Sequence, residues 1–243
     1  MNFELRNVSK KFENKFALRN IQIKNENGKI IAFIGPSGSG KTTLLRIINL
    51  LDSPSAGNVM LDGKNPFTVS NLERNQLRTR MALVFQNPCL FQRSVESNIA
   101  YGLKIRRTLP KIIEEEATKH LTLVGLEKVR HQFAPSLSAG EAQRVSFARA
   151  IVVKPELLLL DEFTANLDHV NVKILEEGVL QYHKETNATI VLATHNLFQA
   201  RRLADEIIFI FDGKIIEKAE KEIFFSHPKH HLTKAFLSGE LVY

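Results

Sequence analysis

Gly35-Pro36-Ser37-Gly38-Ser39-Gly40-Lys41-Thr42 fits the pattern G-x-x-x-x-G-K-[ST]. Its glycines let the backbone wrap closely round an anion, with consecutive N–H groups pointing inward. Lys41 can reach phosphate oxygens as a point charge, and the Thr42 hydroxyl can face a divalent cation such as Mg²⁺. The flanks agree with a phosphate cradle. Residues 30–34 (Ile-Ile-Ala-Phe-Ile) form a short, wholly apolar run that reads as a buried strand. Residues 43–51 read as a helix whose N-terminal dipole would add to the anion site. The alternative is a glycine-rich turn with no nucleotide.

Further chemistry-bearing residues follow. The apolar run 157–160 ends in Asp161 and Glu162. Two carboxylates at the end of a buried strand are costly unless a cation is near, and a metal–triphosphate supplies one. Asp161 would then hold Mg²⁺ through water, and Glu162, directed elsewhere, would orient or deprotonate an attacking water. Gln86 ends the strand-like run 82–85. In open α/β sheets ligands bind beyond the carboxyl ends of strands, although a lone Gln there is often loop surface. His195, after the apolar run 189–193, is either a donor to a terminal phosphate or a satisfied edge histidine. Ser138 and Glu141, within Leu137-Ser138-Ala139-Gly140-Glu141, fit a capping box ahead of a helix to about residue 153. That stretch is either a well-capped helix or an anion site using Ser138 Oγ and the Gly140 N–H. Phe12, placed in the link between two strands, could stack on a nucleobase or be a half-buried aromatic.

The elements that must position these groups are also visible. Alternation over residues 3–28 predicts an edge sheet with one wet face, closed by the Asn27-Gly28 turn. A short strand over 57–63 ends in Asp62-Gly63, and residues 206–211 open a hairpin through Asp212-Gly213. Residues 94–131 read as mostly helical, broken at Gly102 and Pro110, which suggests a small separate helical unit.

The 243 residues suit one large domain or two modest ones, and their 44% hydrophobic and 24% charged fractions are those of a globular protein. No apolar run nears the ~18 residues of a membrane span, and the N-terminus lacks a signal-peptide core, so a cytoplasmic chain is expected. One cysteine, Cys89, excludes an internal disulfide and a cysteine-rich metal site. The formal charge of +7 fits solubility with some steering of an anionic ligand. His227, His230 and His231 cluster near the end without a clear carboxylate or cysteine companion.

In order, the P-loop, Gln86, residues 137–141, residues 157–162, Ala165-Asn166-Leu167-Asp168 and His195 resemble an ABC-transporter ATPase over essentially the whole chain. The resemblance implies an α/β fold: a P-loop NTPase (RecA-like) core with an N-terminal antiparallel β subdomain and an inserted α-helical subdomain. One ABC ATPase domain would span 1–243, with 1–87 and 155–243 as core and 88–154 as the helical subdomain. Gly35 to Thr43 (Gly35, Pro36, Ser37, Gly38, Ser39, Gly40, Lys41, Thr42, Thr43) would bind ATP phosphates, and Phe12 the adenine. Thr42, Gln86 and, through water, Asp161 would serve Mg²⁺. Glu162 would be the catalytic base and His195 the γ-phosphate switch, with Gln86 also in the catalytic set. Leu137 to Glu141 would close the ATP of a second copy, and Asp168 would lie in the loop meeting that copy. The implied partners are a homodimer, membrane permease subunits and, indirectly, an extracytoplasmic oxyanion-binding protein, with no nucleic acid. The implied place is the cytoplasmic side of the membrane.

Three departures stand out. Ala139 replaces a glycine usual in the signature, where its methyl could crowd a phosphate, and Glu141 stands where Gln is common. Phe163 follows Glu162 where Pro is usual, so a less rigid loop is expected there. Residues 84–104, 194–205 and 236–243 are similar to oxyanion importers, the last two stretches to tungstate importers of the Tup type. No further C-terminal regulatory domain is expected.

Overall fold

The structure is a computed structural model and describes residues 1–25 and 27–241; the last two residues of the tungstate-like ending, Val242 and Tyr243, lie outside them. Among the described residues the strands form two sheets. The first is antiparallel, in the order β2 (Lys15–Lys24), β1 (Phe3–Phe12), β4 (Ala56–Leu61). The second runs β5 (Met81–Val84), β6 (Leu157–Asp161), β7 (Thr189–Thr194), β3 (Ile30–Ile34), β8 (Glu206–Phe211), β9 (Lys214–Glu220). It is parallel from β5 to β8, and β9 returns antiparallel through the Asp212-Gly213 turn.

The parallel strands are apolar on both faces because both faces are covered. Ile30, Ala32 and Ile34 point into one core, and Ile31 and Phe33 into another. Leu158 and Leu160 on β6 divide from Leu157 and Leu159 in the same way. One core lies beneath α3 (Val95–Ile99), α5 (Pro110–Leu123), α6 (Ala139–Ile151), α7 (His169–Thr186) and α8 (Leu197–Leu203). The other is shared by α1 (Lys41–Ile48), α2 (Asn71–Thr79) and the antiparallel sheet. The remaining helices are α4 (Tyr101–Ile105), α9 (Lys221–Ser226) and α10 (His231–Ser238). No helix among the described residues is long and apolar enough to cross a membrane.

Several local expectations shift. Gly102 does not break a helix; it lies inside α4, and the interruption falls at Ala100. A Cβ at Gly102 would sit 2.5 Å from Val153 Cγ1, so close packing rather than a turn explains the glycine. Pro110 starts α5 at its first turn, where its missing N–H is harmless. Phe12 closes β1 instead of sitting in the link, and Phe85 leaves β5 and is exposed.

At the amino ends of β5 and β6 the two sheets are clamped together. Arg80 donates to Glu156 Oε1 at 2.7 Å and to Asp62 Oδ2, in the turn after β4, at 2.6 Å. The Met1 ammonium lies 3.7 Å from Glu156.

Candidate active site

The carboxyl ends of β3, β6 and β7 bring the chemistry together. The β3–α1 loop bends through residues with positive φ, among them Gly40 at +106°. A Cβ on Gly40 would lie 2.6 Å from the Ala17 carbonyl of β2, so the antiparallel sheet presses directly on the loop. Ser37, Gly38, Gly40, Lys41, Thr42, Thr43, Gln86, Glu162 and Ala17 line one cleft of about 330 Å³. Ala17 was not foreseen, because the alternation of β2 carries no sign of what its backbone overlies.

Lys41 is only 4% exposed. Its Nζ donates to the carbonyls of Gly35 and Pro36 at 2.8 Å each and lies 3.8 Å from Glu162 Oε1. Burial pushes its ammonium below the ordinary lysine value, while Glu162 and Asp161 pull it back. Asp161 is 6% exposed, and burial pushes its carboxyl above the ordinary range; the Thr42 hydroxyl and Lys41 oppose that shift. Thr42 Oγ1 donates to Asp161 Oδ1 at 2.9 Å. The Thr42 hydroxyl and the Gln86 side chain at the cleft, with the buried Asp161 carboxylate bonded to Thr42 behind it, are oxygen donors that suit a hard cation such as Mg²⁺.

Glu162 adopts φ +43°. Its N–H donates to the Ala193 carbonyl at 2.9 Å, and its own carbonyl accepts from Ala165. His195 Nδ1 lies 3.3 Å from Glu162 Oε2. Phe163 is fully buried, its ring 6.5 Å from that of Phe147 on α6. The loosening expected from losing a proline is therefore countered by packing. Gln143 and Arg149, also on α6, donate to the Phe85 and Cys89 carbonyls and so hold both sides of Gln86.

The stretch 137–141 does not line this cleft. Ser138 caps α6: its Oγ accepts from the Glu141 N–H at 3.3 Å and donates to Glu141 Oε2 at 2.7 Å. The Ser138 hydroxyl, together with the Ser138 N–H that donates to the same Oε2 at 2.9 Å, holds the Glu141 carboxyl below its ordinary value. Ala139 is exposed, whereas Gly140 is buried and a Cβ there would lie 2.4 Å from Asn171 Nδ2. Asp168 caps α7, accepting from the Val170 and Asn171 N–H groups at 2.9 Å each. Asn171 donates onward to Asp168 Oδ2. Asp168 and the signature are thus joined through Asn171. Phe12 also stands outside the cleft; it is 49% exposed, with Lys10 Nζ 5.0 Å from its ring centroid.

Residues 18–165 match the family model described as ABC transporter. The chain is 40% identical to the phosphate import ATP-binding protein PstB 2 of Natronomonas pharaonis, over 97% of this chain and 86% of that protein. The chain belongs to the ABC transporter family. It is 38% identical to the methionine import ATP-binding protein MetN 1 of Listeria monocytogenes, over 98% of this chain and 72% of that one. A solved dimeric ATP-binding cassette in a post-hydrolysis state bound to ADP and Pi superposes with a TM-score of 0.83 at 28% identity, covering 90% of this chain and 98% of that one. The two-sheet α/β architecture is that of an ABC cassette, and this ABC protein is an ATPase.

Proposed function

We propose that this ABC ATPase drives import of a small oxyanion, with tungstate as the solute, through membrane permease subunits against which it sits on the cytoplasmic side. The observation that carries the site assignment is the convergence of Lys41, Thr42, Gln86 and Glu162 on one cleft, with Asp161 bonded to Thr42. The backbone of residues 35–43 receives the phosphates of ATP, and Phe12 offers its exposed ring to the adenine. Thr42, Gln86 and, through water, Asp161 would hold Mg²⁺, which would supply neutralisation of phosphate charge. Glu162 accepts a proton from the attacking water, and His195, beside its Oε2, faces the terminal phosphate. Residues 1–87 and 155–243 act as the core and 88–154 as the helical subdomain.

The signature 137–141 stands apart from the cleft, which supports pairing of two copies so that each supplies the other's missing donors. ATP then favours the closed pair and hydrolysis releases it, a two-state element able to drive attached subunits. Oxyanion uptake is supported by the phosphate-import relative, and tungstate by the likeness of residues 194–205 and 236–243 to Tup-type ATPases. The methionine-import relative favours a second reading, a different small solute.

Glu162→Gln is expected to bind ATP, lose at least about a hundredfold in hydrolysis, and accumulate as an ATP-dependent dimer in gel filtration. Normal turnover with only monomer would overturn the base assignment. Cells carrying that variant should lose tungsten accumulation, measured by mass spectrometry; loss of phosphate or methionine uptake instead selects the second reading.

A further inference from the structure

We propose that Gln199 and Thr164 are positioning residues that fix the Glu162–His195 pair through a buried side-chain bridge between the two loops. Glu162 holds φ +43°, a left-handed conformation disfavoured for a residue with a Cβ, so its surroundings must over-determine it. Backbone bonds to Ala193 and Ala165 and the buried Phe163 ring fix the first part of the turn. Thr164 is held by something else. Gln199 sits four residues after His195 on α8, and its N–H bonds the capping Asn196 Oδ1 at 3.0 Å. Its side chain, 1% exposed, donates through Nε2 to Thr164 Oγ1 at 2.6 Å and to Glu176 Oε1 on α7 at 3.2 Å.

The chemistry fixes the orientation. A carboxylate only accepts, so the amide nitrogen must face Glu176, and its second hydrogen is directed at Thr164. Glu176 cannot swing away, because Arg202 grips both its oxygens, Nε at 2.8 Å and Nη2 at 2.7 Å. The chain Arg202–Glu176–Gln199–Thr164 therefore ties the helix after His195 to the turn after Glu162, anchored on the helix that Asp168 caps.

A cavity of about 410 Å³ gives this bridge its purpose. Glu162, Thr164, His195, Phe198 and Arg202 all border it. Side chains beside open space are not held by packing on that side, so polar tethers must set the 3.3 Å separation of Glu162 and His195. The pair comes from the ends of two different strands, β6 and β7, and the bridge is a second side-chain link between their loops beside the Glu162–His195 contact itself.

This inference rests on Glu162 acting as the base, which Glu162→Gln tests separately. The full chain is assayed for steady-state ATP hydrolysis. Thr164→Val, nearly isosteric, is expected to lower kcat about tenfold while KM for ATP stays within about twofold. Thr164→Ser keeps the hydroxyl and should restore most of kcat. Gln199→Leu, which also loses the bond to Glu176, should fall at least as far as Thr164→Val, and the double variant no further than the worse single, because both remove the Gln199–Thr164 bond. A lowered melting temperature with unchanged kcat in Thr164→Val, or losses that multiply in the double variant, would overturn the bridge. Should Gln199→Leu fail to fold, the Val and Ser variants at position 164 decide alone.

Discussion

The cleft at the P-loop and the tip of α6 are both anion-type sites in principle, yet they are built in opposite ways. At the cleft, Lys41 and Asp161 are buried, their shifts come from burial, and the strands of the parallel sheet hold them. At the tip, Ser138, Ala139 and Glu141 lie outside the core, and the Ser138 hydroxyl already serves its own helix. The first site carries an unrelieved electrostatic demand that a ligand can meet. The second is internally satisfied, so a ligand there gains only by exchanging one good hydrogen bond for another.

That contrast can be broken at several points. Lys41→Ala should have the largest effect, a loss of about a hundredfold or more in ATP affinity by calorimetry, since it removes a preorganised charge; unchanged affinity would make the two sites equivalent after all. Gly140→Ala forces a methyl against Asn171 and should destabilise the chain by about 1–3 kcal/mol in denaturant unfolding. Adding Asn171→Ala should recover most of that loss, which locates the strain at the contact. Ser138→Ala should cost about 1 kcal/mol through the lost cap, leaving ATP affinity of the isolated chain unaltered. The smallest effect is in acid. Because the Glu141 carboxyl is held below its ordinary value, its contribution is complete above the ordinary glutamate range and disappears as pH falls through the depressed value. Ser138→Ala should flatten that part of the pH–stability curve, read from melting temperatures.

The cleft was legible in the residues because its signals are local. Glycine spacing, an apolar run and the Asp161-Glu162 pair each declare themselves within ten positions. So does the capping box at Ser138 and Glu141, which the structure forms in full. The contacts of Gln199 with Thr164 and of Asn171 with Gly140 were not legible. The first depends on the pairing of β6 with β7 and the second on the packing of α6 against α7, which set chain-distant segments side by side and leave no periodicity behind. Gly102 misled for the same reason: its local turn preference yields to a close contact with Val153, beyond the end of α6. Phe163, too, reads as a lost proline until Phe147 is found beside it.

The clamp formed by Arg80, Glu156 and Asp62 stands at the amino ends of β5 and β6, whereas the cleft stands at the carboxyl ends. A second tie stands at that far end, where the Arg19 N–H of β2 donates to the Gly213 carbonyl at 2.7 Å, close to where Ala17 overlies Gly40. Pinned at both ends, the antiparallel sheet is a fixed wall for the phosphate loop, whose Ser39 carbonyl also accepts from the Gly213 N–H at 3.1 Å.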